Sequence, residues 1–258
     1  MARTRFNLDL RTLDRLLILV HGNYAVGKTH LQGDFLLEEA QHGSVVFINT
    51  KGEDGYLSIA NLGLGEIGET IETYQDFLDL HADYRKKGLR AFALDSIVGL
   101  DDIVLTKLFG KLRRPENPDE WNRFHMEANN IHTMLRELAP FGLAVASSDV
   151  SVDAVARAEA GNPTGFQGRV TPNLPGAQAS SIAAKFDLVG HLTAEMVSPK
   201  VIKRKVTFAP SRRLLTRQRL PALILEDITI PDGRGGWLAI KSAIEQVLQP
   251  AAKEAATQ

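Results

Sequence analysis

Cysteine is absent from the 258 residues. That excludes disulfide staples, thiolate metal sites and cysteine nucleophiles together, and it suits a reducing compartment. Long apolar runs are missing as well. The longest, Leu16 to Val20, falls far short of the ~20 residues that a bilayer-crossing helix needs, and the charged start from Met1 to Arg15 lacks the apolar stretch of a signal peptide. No membrane partner is expected. Charge of one sign is not in excess either: 30 Lys and Arg stand against 31 Asp and Glu, a net charge of -1. Any attraction to nucleic acid or anionic lipid must therefore come from a local patch. His21, His30, His125 and His132 form no metal-ligand spacing, and no internal repeat is visible. What remains, 44% hydrophobic and 24% charged residues, is the composition of an ordinary folded protein with a sizeable core.

The pattern along the chain alternates strand and helix. Leu16 to Val20 is apolar on both faces and runs into glycine, which reads as a buried parallel strand. Leu31, Phe35, Leu36 and Ala40 recur at helical spacing before His42-Gly43. Ser44 to Asn49 predicts a second strand, and Gly52 to Gly68 an irregular connection. Tyr74 to Tyr84 predicts a helix, Ala91 to Leu94 a strand, Leu100 to Phe109 a helix, Pro118 to Leu138 a long helix, and Phe141 to Ser147 a strand. Asp149 to Pro175 has no clean period and is expected to be a long loop, a length that usually accompanies function or disorder. A short helix near Ala177 to Lys185, strands near Leu188 to Thr193, Val201 to Phe208 and Leu223 to Ile228, and a helix from Leu238 to Leu248 complete the reading. The expected fold class is α/β: a mostly parallel sheet flanked by helices, with antiparallel strands toward the C-terminus. One domain over residues 1–249 and a flexible tail over 250–258 are expected.

Gly22-Asn23-Tyr24-Ala25-Val26-Gly27-Lys28-Thr29 fits G-x-x-x-x-G-K-S/T at every fixed position, between a buried strand and a helix. Glycines let successive amides turn inward toward phosphate oxygens, and the following helix adds its positive N-terminal end. Lys28 is expected to reach the β- and γ-phosphates, Thr29 to hold Mg²⁺, and His30 to join the nucleotide contacts. The strand Ala91-Phe92-Ala93-Leu94-Asp95 ends in an acid one α/β unit later, so Asp95 is the second metal candidate and a catalytic one.

With these residues the chain resembles the RecA-like P-loop ATPases, and among them the compact phage RecA-core proteins of single-strand annealing and recombination. The P-loop carries most of the resemblance. Val45 to Asn49 with Thr50-Lys51-Gly52-Glu53, Leu94-Asp95-Ser96, the Trp121 helix leading to Leu143 to Ser148, and Thr171 to Gly176 followed by Lys185 to Val189 support it by their order. The resemblance implies ATP and Mg²⁺ as ligands, a homo-oligomeric ring or filament, single-stranded DNA as partner, and a cytoplasmic location, the host's if phage-encoded. It departs from the family at one position. The acid that activates water is expected at the end of the second strand, where Lys51 stands, and an ammonium is a poor base at neutral pH. Glu53 or Asp54 would have to substitute, or hydrolysis would be slow.

The resemblance further implies a γ-phosphate sensor at Ser148 and Asp149, against which stands ordinary strand-end capping. Between Lys200 and Arg219 lie eight cations and no acid. Arg217 and Arg219 resemble a family pair that reaches a neighbour's γ-phosphate, or they belong to a solvated basic hairpin. DNA loops are implied at Gly110 to Pro118, with Lys111, Arg113 and Arg114, and at Asp149 to Gly176, with Arg157, Phe166 and Arg169; the alternative is plain flexible loops. Two other functions stay open: a nucleotide-gated assembly or recruitment module with little hydrolysis, and a small-molecule kinase.

Overall fold

The computed structural model describes residues 15–53, 55–151, 169–175, 178–198, 201–211, 214–219, 225 and 227–255. Strand β1 (Leu16–Gly22) leads into helix α1 (Lys28–Glu39), and β2 (Val45–Thr50) into α2 (Gly55–Asn61). Strand β3 (Gly68–Ile71), helix α3 (Tyr74–Lys87), β4 (Ala91–Asp95), α4 (Ile97–Phe109), α5 (Pro118–Leu138) and β5 (Phe141–Ser151) follow. Then come β6 (Arg169–Pro172), the single turn α6 (Gln178–Ser181), the hairpin β7 (Leu188–Ser198) and β8 (Val201–Thr207), β9 (Arg217–Gln218), β10 (Ile228–Ile230) and α7 (Gly236–Ala255).

The ten strands among the described residues join one sheet, whose main path runs β10-β8-β7-β1-β5-β4-β2-β3. From β7 to β3 the neighbours are parallel, whereas β8 and β10 are antiparallel. The expected class is therefore the observed one. Alternation along β1 explains how the sheet is covered. Leu17 and Leu19 face a core shared with α3, α4 and α5, while Leu16, Ile18 and Val20 face a second core shared with α1 and α7. Both sides of the strand are buried, as a parallel strand under crossover helices must be.

Several elements differ from the periodicity. The stretch expected to be irregular holds the short, largely exposed α2 and runs into β3 at Gly68. Strand β5 continues past Ser147 because Ser148 to Ser151 pair with β6, a long-range partner. Strand β7 continues past Thr193 because β8 pairs with it as far as Ser198. Helix α7 starts two residues earlier and runs seven further than Leu238 to Leu248.

Helix α7 is fastened to α1 by a buried polar cluster. Trp237 is 1% exposed, packs edge-on to Phe35 at 4.8 Å, and donates its indole N–H to Glu39 at 3.1 Å. The opposite Glu39 oxygen accepts from Arg90 Nε at 2.9 Å, so this fully buried carboxylate is paired. Asp34 accepts the amides of Gly235 and Trp237, which ties the turn before α7 to the helix that follows the glycine-rich loop. Truncating Trp237 leaves a large cavity and removes the indole hydrogen bond to the buried Glu39. Trp237→Ala should lower the unfolding free energy by about 3–5 kcal/mol in urea titrations.

Candidate nucleotide-binding site

The parallel strands end side by side. Register sets Gly22 opposite Ser147, Leu94 opposite Ala144 and Asn49 opposite Asp95, so the loops leaving β1, β2, β4 and β5 crowd one edge of the sheet. Between them lies a cavity of about 550 Å³ lined by Gly27, Lys28, Thr29, Glu53, Asp95 and Ser96, among others.

The loop after β1 turns through two left-handed residues, Ala25 at φ 60° and Gly27 at φ 98°. Gly27 caps α1 without a side-chain hydrogen bond, so the helix's first amides are left to bind something else. Lys28 Nζ lies back across the loop, donating to the carbonyls of Gly22 at 3.0 Å and Asn23 at 2.8 Å. Burial lowers its pKa, and the carboxylates of Asp95 and Glu53 oppose that. Both acids thus act on the same ammonium, although they arrive on different strands.

Thr29 Oγ1 donates to Asp95 Oδ2 at 2.8 Å. Burial pushes the Asp95 carboxyl up to about 6, with Thr29 and Lys28 pulling it down and Glu53 pushing it up. The Asp95–Ser96 peptide is cis. Ser96 donates its hydroxyl to Glu53 Oε1 at 2.6 Å, and Ser96 N donates to Thr50 Oγ1 at 3.0 Å. Thr50 in turn donates to the Asp95 carbonyl at 3.2 Å. The ends of β2 and β4 are laced together by short hydroxyl side chains, and Glu53 is held facing Asp95. Lys51 lies elsewhere: its ammonium is 3.5 Å from Glu72, and both side chains are well exposed. The lysine in the expected acid position therefore leaves the cavity, and Glu53 enters it because the chain turns between them.

Tyr24, Ala25, Gly27, Lys28, Thr29 and His30 line the cavity. Tyr24 is 82% exposed, and His30 Nε2 lies 2.6 Å from the Gly233 carbonyl. Gly22, Asn23 and Val26 do not line it: the first two serve through their carbonyls, and the Val26 side chain turns into the core. Ser148 also misses the cavity, since its hydroxyl is 2.9 Å from His21 Nδ1. Neighbouring Ser147 lines the wall instead, together with Asn173, whose amide donates to the Ser147 carbonyl at 2.8 Å. Strand alternation reverses with each residue, so a one-residue offset exchanges the faces.

Arg217 pairs across the sheet with Val189, level with Leu19, so it sits below the strand edge that bears the cavity. Arg219 is exposed, and its amide donates to the Asp187 carbonyl. The basic run is partly neutralised by acids that come later in the chain: Lys205 pairs with Asp227 and Arg204 with Asp232, each at 2.6 Å. Of the DNA-loop candidates, Arg113 forms a two-pronged pair with Glu120, 2.8 Å at each nitrogen, and braces the start of α5. Lys111 and Arg114 are exposed. Arg169 begins β6, while Arg157 and Phe166 lie outside the described residues. Periodicity could not single out Ser96, Ser147, Asn173 or Arg204. Ser96 alone had a local signal, its place directly after Asp95.

Strand order and loop geometry define the class: a RecA-like P-loop fold, in which β5 stands between the P-loop strand and the strand that ends in the acid. No protein-family model and no curated protein matches the chain. Among solved structures, the flagellar accessory protein FlaH from Methanocaldococcus jannaschii is similar at 14% identity and a TM-score of 0.43, over 91% of this chain and 95% of that one. The class rests on this chain's own topology rather than on that likeness.

Asp95→Asn keeps the shape and removes the charge. It should weaken nucleotide binding in magnesium by about tenfold or more, and change binding in excess chelator by less than about threefold, measured by calorimetry.

Proposed function

We propose that the chain binds and hydrolyses MgATP and acts as a homo-oligomeric ring or filament on single-stranded DNA, in phage-type recombination or strand annealing. The observation that carries the ATPase part is the convergence of Lys28, Thr29, Glu53 and Asp95, from three separate segments, on one cavity at the P-loop.

The residues present fit magnesium. Thr29 and Asp95 offer two hard oxygens already in contact, and no group of three or more acidic or histidine ligands exists among the described residues. Such a sparse donor set suits an ion that keeps several waters and takes phosphate oxygens as its remaining ligands. Magnesium held by Thr29 and Asp95 would neutralise charge on the β- and γ-phosphates. Lys28 has the reach and charge to follow the γ-phosphate, exchanging its two loop carbonyls for phosphate oxygens. Glu53 has one oxygen tied to Ser96 and the other, without a partner among the described residues, available to orient and deprotonate water. Glu53→Gln should cut turnover by about 10²-fold or more while nucleotide affinity stays within a few-fold, comparing kcat with the dissociation constant.

The second reading, a nucleotide-gated recruitment module with little hydrolysis, draws on Lys51. Its exposed pairing with Glu72, and the presence of Glu53 in the cavity, favour hydrolysis. Background turnover by the native protein, together with an ATP-dependent change in oligomer size, would reverse that preference.

Assembly is supported by Arg217. It is set about three residues, roughly 10 Å, below the end of β1, so a role at a γ-phosphate suits a neighbouring copy better than its own chain. Mixing Arg217→Ala with Glu53→Gln protein should then restore turnover that neither variant shows alone; a mixture as inactive as its components would sink the trans role.

For DNA, Lys111 and Arg114 remain the exposed cations of the α4–α5 connection, with no ion pair to either among the described residues. Their joint replacement by alanine should reduce the slope of log affinity against log salt by about 1.4, as expected for two lost phosphate contacts on a single strand. Native protein that binds no single-stranded oligonucleotide at low salt, with or without ATP, would reject the DNA function.

A further inference from the structure

The P-loop is gripped from outside by a side chain of the antiparallel hairpin. Arg204 lies on β8, between Ala194 of β7 and Ile230 of β10. Its Nε donates to the Val26 carbonyl at 3.1 Å, and its Nη1 donates to Asp232 at 2.6 Å. The guanidinium also occupies the space beside Gly27. A Cβ on Gly27 would lie 2.9 Å from Arg204 Nε and 3.3 Å from its Cδ, and the residue's φ of 98° already disfavours any side chain. The backbone angle therefore favours glycine here, and the guanidinium that fills the space beside it comes from nearly 180 residues away.

The consequence follows from the peptide plane. In a trans peptide the carbonyl and the next amide point in opposite directions. A Val26 carbonyl held outward by Arg204 turns the Gly27 amide the other way, toward the cavity that Gly27 lines. The partner acid is itself anchored: Asp232 belongs to the turn that leads to Gly235 and Trp237, whose amides Asp34 of α1 accepts. The chain from α1 through this turn to β8 and back to the loop is closed by hydrogen bonds.

The geometry points to Arg204 as a positioning residue for nucleotide binding, one that fixes the Val26–Gly27 peptide so that the Gly27 amide faces the phosphates. This rests on the nucleotide reading above. It adds a residue outside the motif and gives the hairpin a role in the site. Because the amide meets phosphate before and during reaction alike, the effect falls on binding rather than on the chemical step.

The test uses the full chain with MgADP and MgATP. Arg204→Met keeps the aliphatic stem and removes every donor. The dissociation constant for MgADP and the KM for ATP should both rise about tenfold, as for loss of a charged hydrogen bond, with kcat changed less than about threefold. The Gly27 amide resonance, expected to move when MgADP binds the native protein, should move much less in this variant. Arg204→Lys, which retains a donor for Val26, should recover most of the affinity. Asp232→Ala breaks only the outer ion pair and should change affinity less than about threefold. Should the methionine variant not fold, Arg204→Ala carries the same expectation.

Native-like affinity in a folded Met or Ala variant would overturn the assignment. So would an Asp232→Ala defect as large as that of Arg204→Met, because the arginine would then serve only to anchor the hairpin. A native protein that binds no MgADP would sink the nucleotide reading itself, a result distinct from either.

Discussion

Thr29 and Asp95 meet at 2.8 Å across the end of the sheet, and the functional geometry depends on that meeting. The first residue lies in the opening turn of the helix after β1 and the second ends β4, with β5 lying between the two strands. Their contact requires that β1, β5 and β4 be parallel, in register and level at their ends. Shifting β4 by one residue would turn Asp95 to the other face and bring a different side chain to Thr29. The two apolar cores that sandwich these strands hold the register, since each strand residue must meet its own layer of helices.

The site is built from two kinds of support. Behind the metal candidates, Thr50, Ser96 and Glu53 form a short hydroxyl and carboxylate lattice that joins β2 to β4. Outside the loop, Arg204, Asp232 and Asp34 join β8, the turn before α7 and α1. Lys28 lies between the two, half-withdrawn from water, with its charge opposed by both acids. Burial raises the Asp95 pKa and lowers that of Lys28, because each charge is partly withdrawn from water. Polar groups arranged in advance around such a cavity need little reorganisation when charge arrives.

Chain direction decides two positions that the sequence left open. Lys51 occupies the position where the resemblance called for an acid, yet it leaves the cavity for Glu72, and Glu53 enters after a turn that no linear alignment conveys. Ser148 resembled a sensor, but the pleat directs its hydroxyl to His21 and leaves the cavity wall to Ser147 and Asn173. The basic run after Lys200 looked like a dense positive field. Asp227 and Asp232 reduce it, because β10 and the turn after it bring acids alongside Lys205 and Arg204.

The amino-acid sequence by itself determined the alternation of strand and helix, the buried P-loop strand, the loop with its Lys28 and Thr29, and the acid at the end of β4. Each of these is a local pattern, read from periodicity or from a short motif whose residues are neighbours in the chain. Only the tertiary structure decided that Glu53 enters the cavity beside Asp95, which serine lines the cavity, that Arg113 is committed to Glu120, and that Arg204 holds the loop. Those outcomes depend on strand register, pleat direction and hydrogen bonds between residues far apart in the chain, and no window of sequence contains both partners.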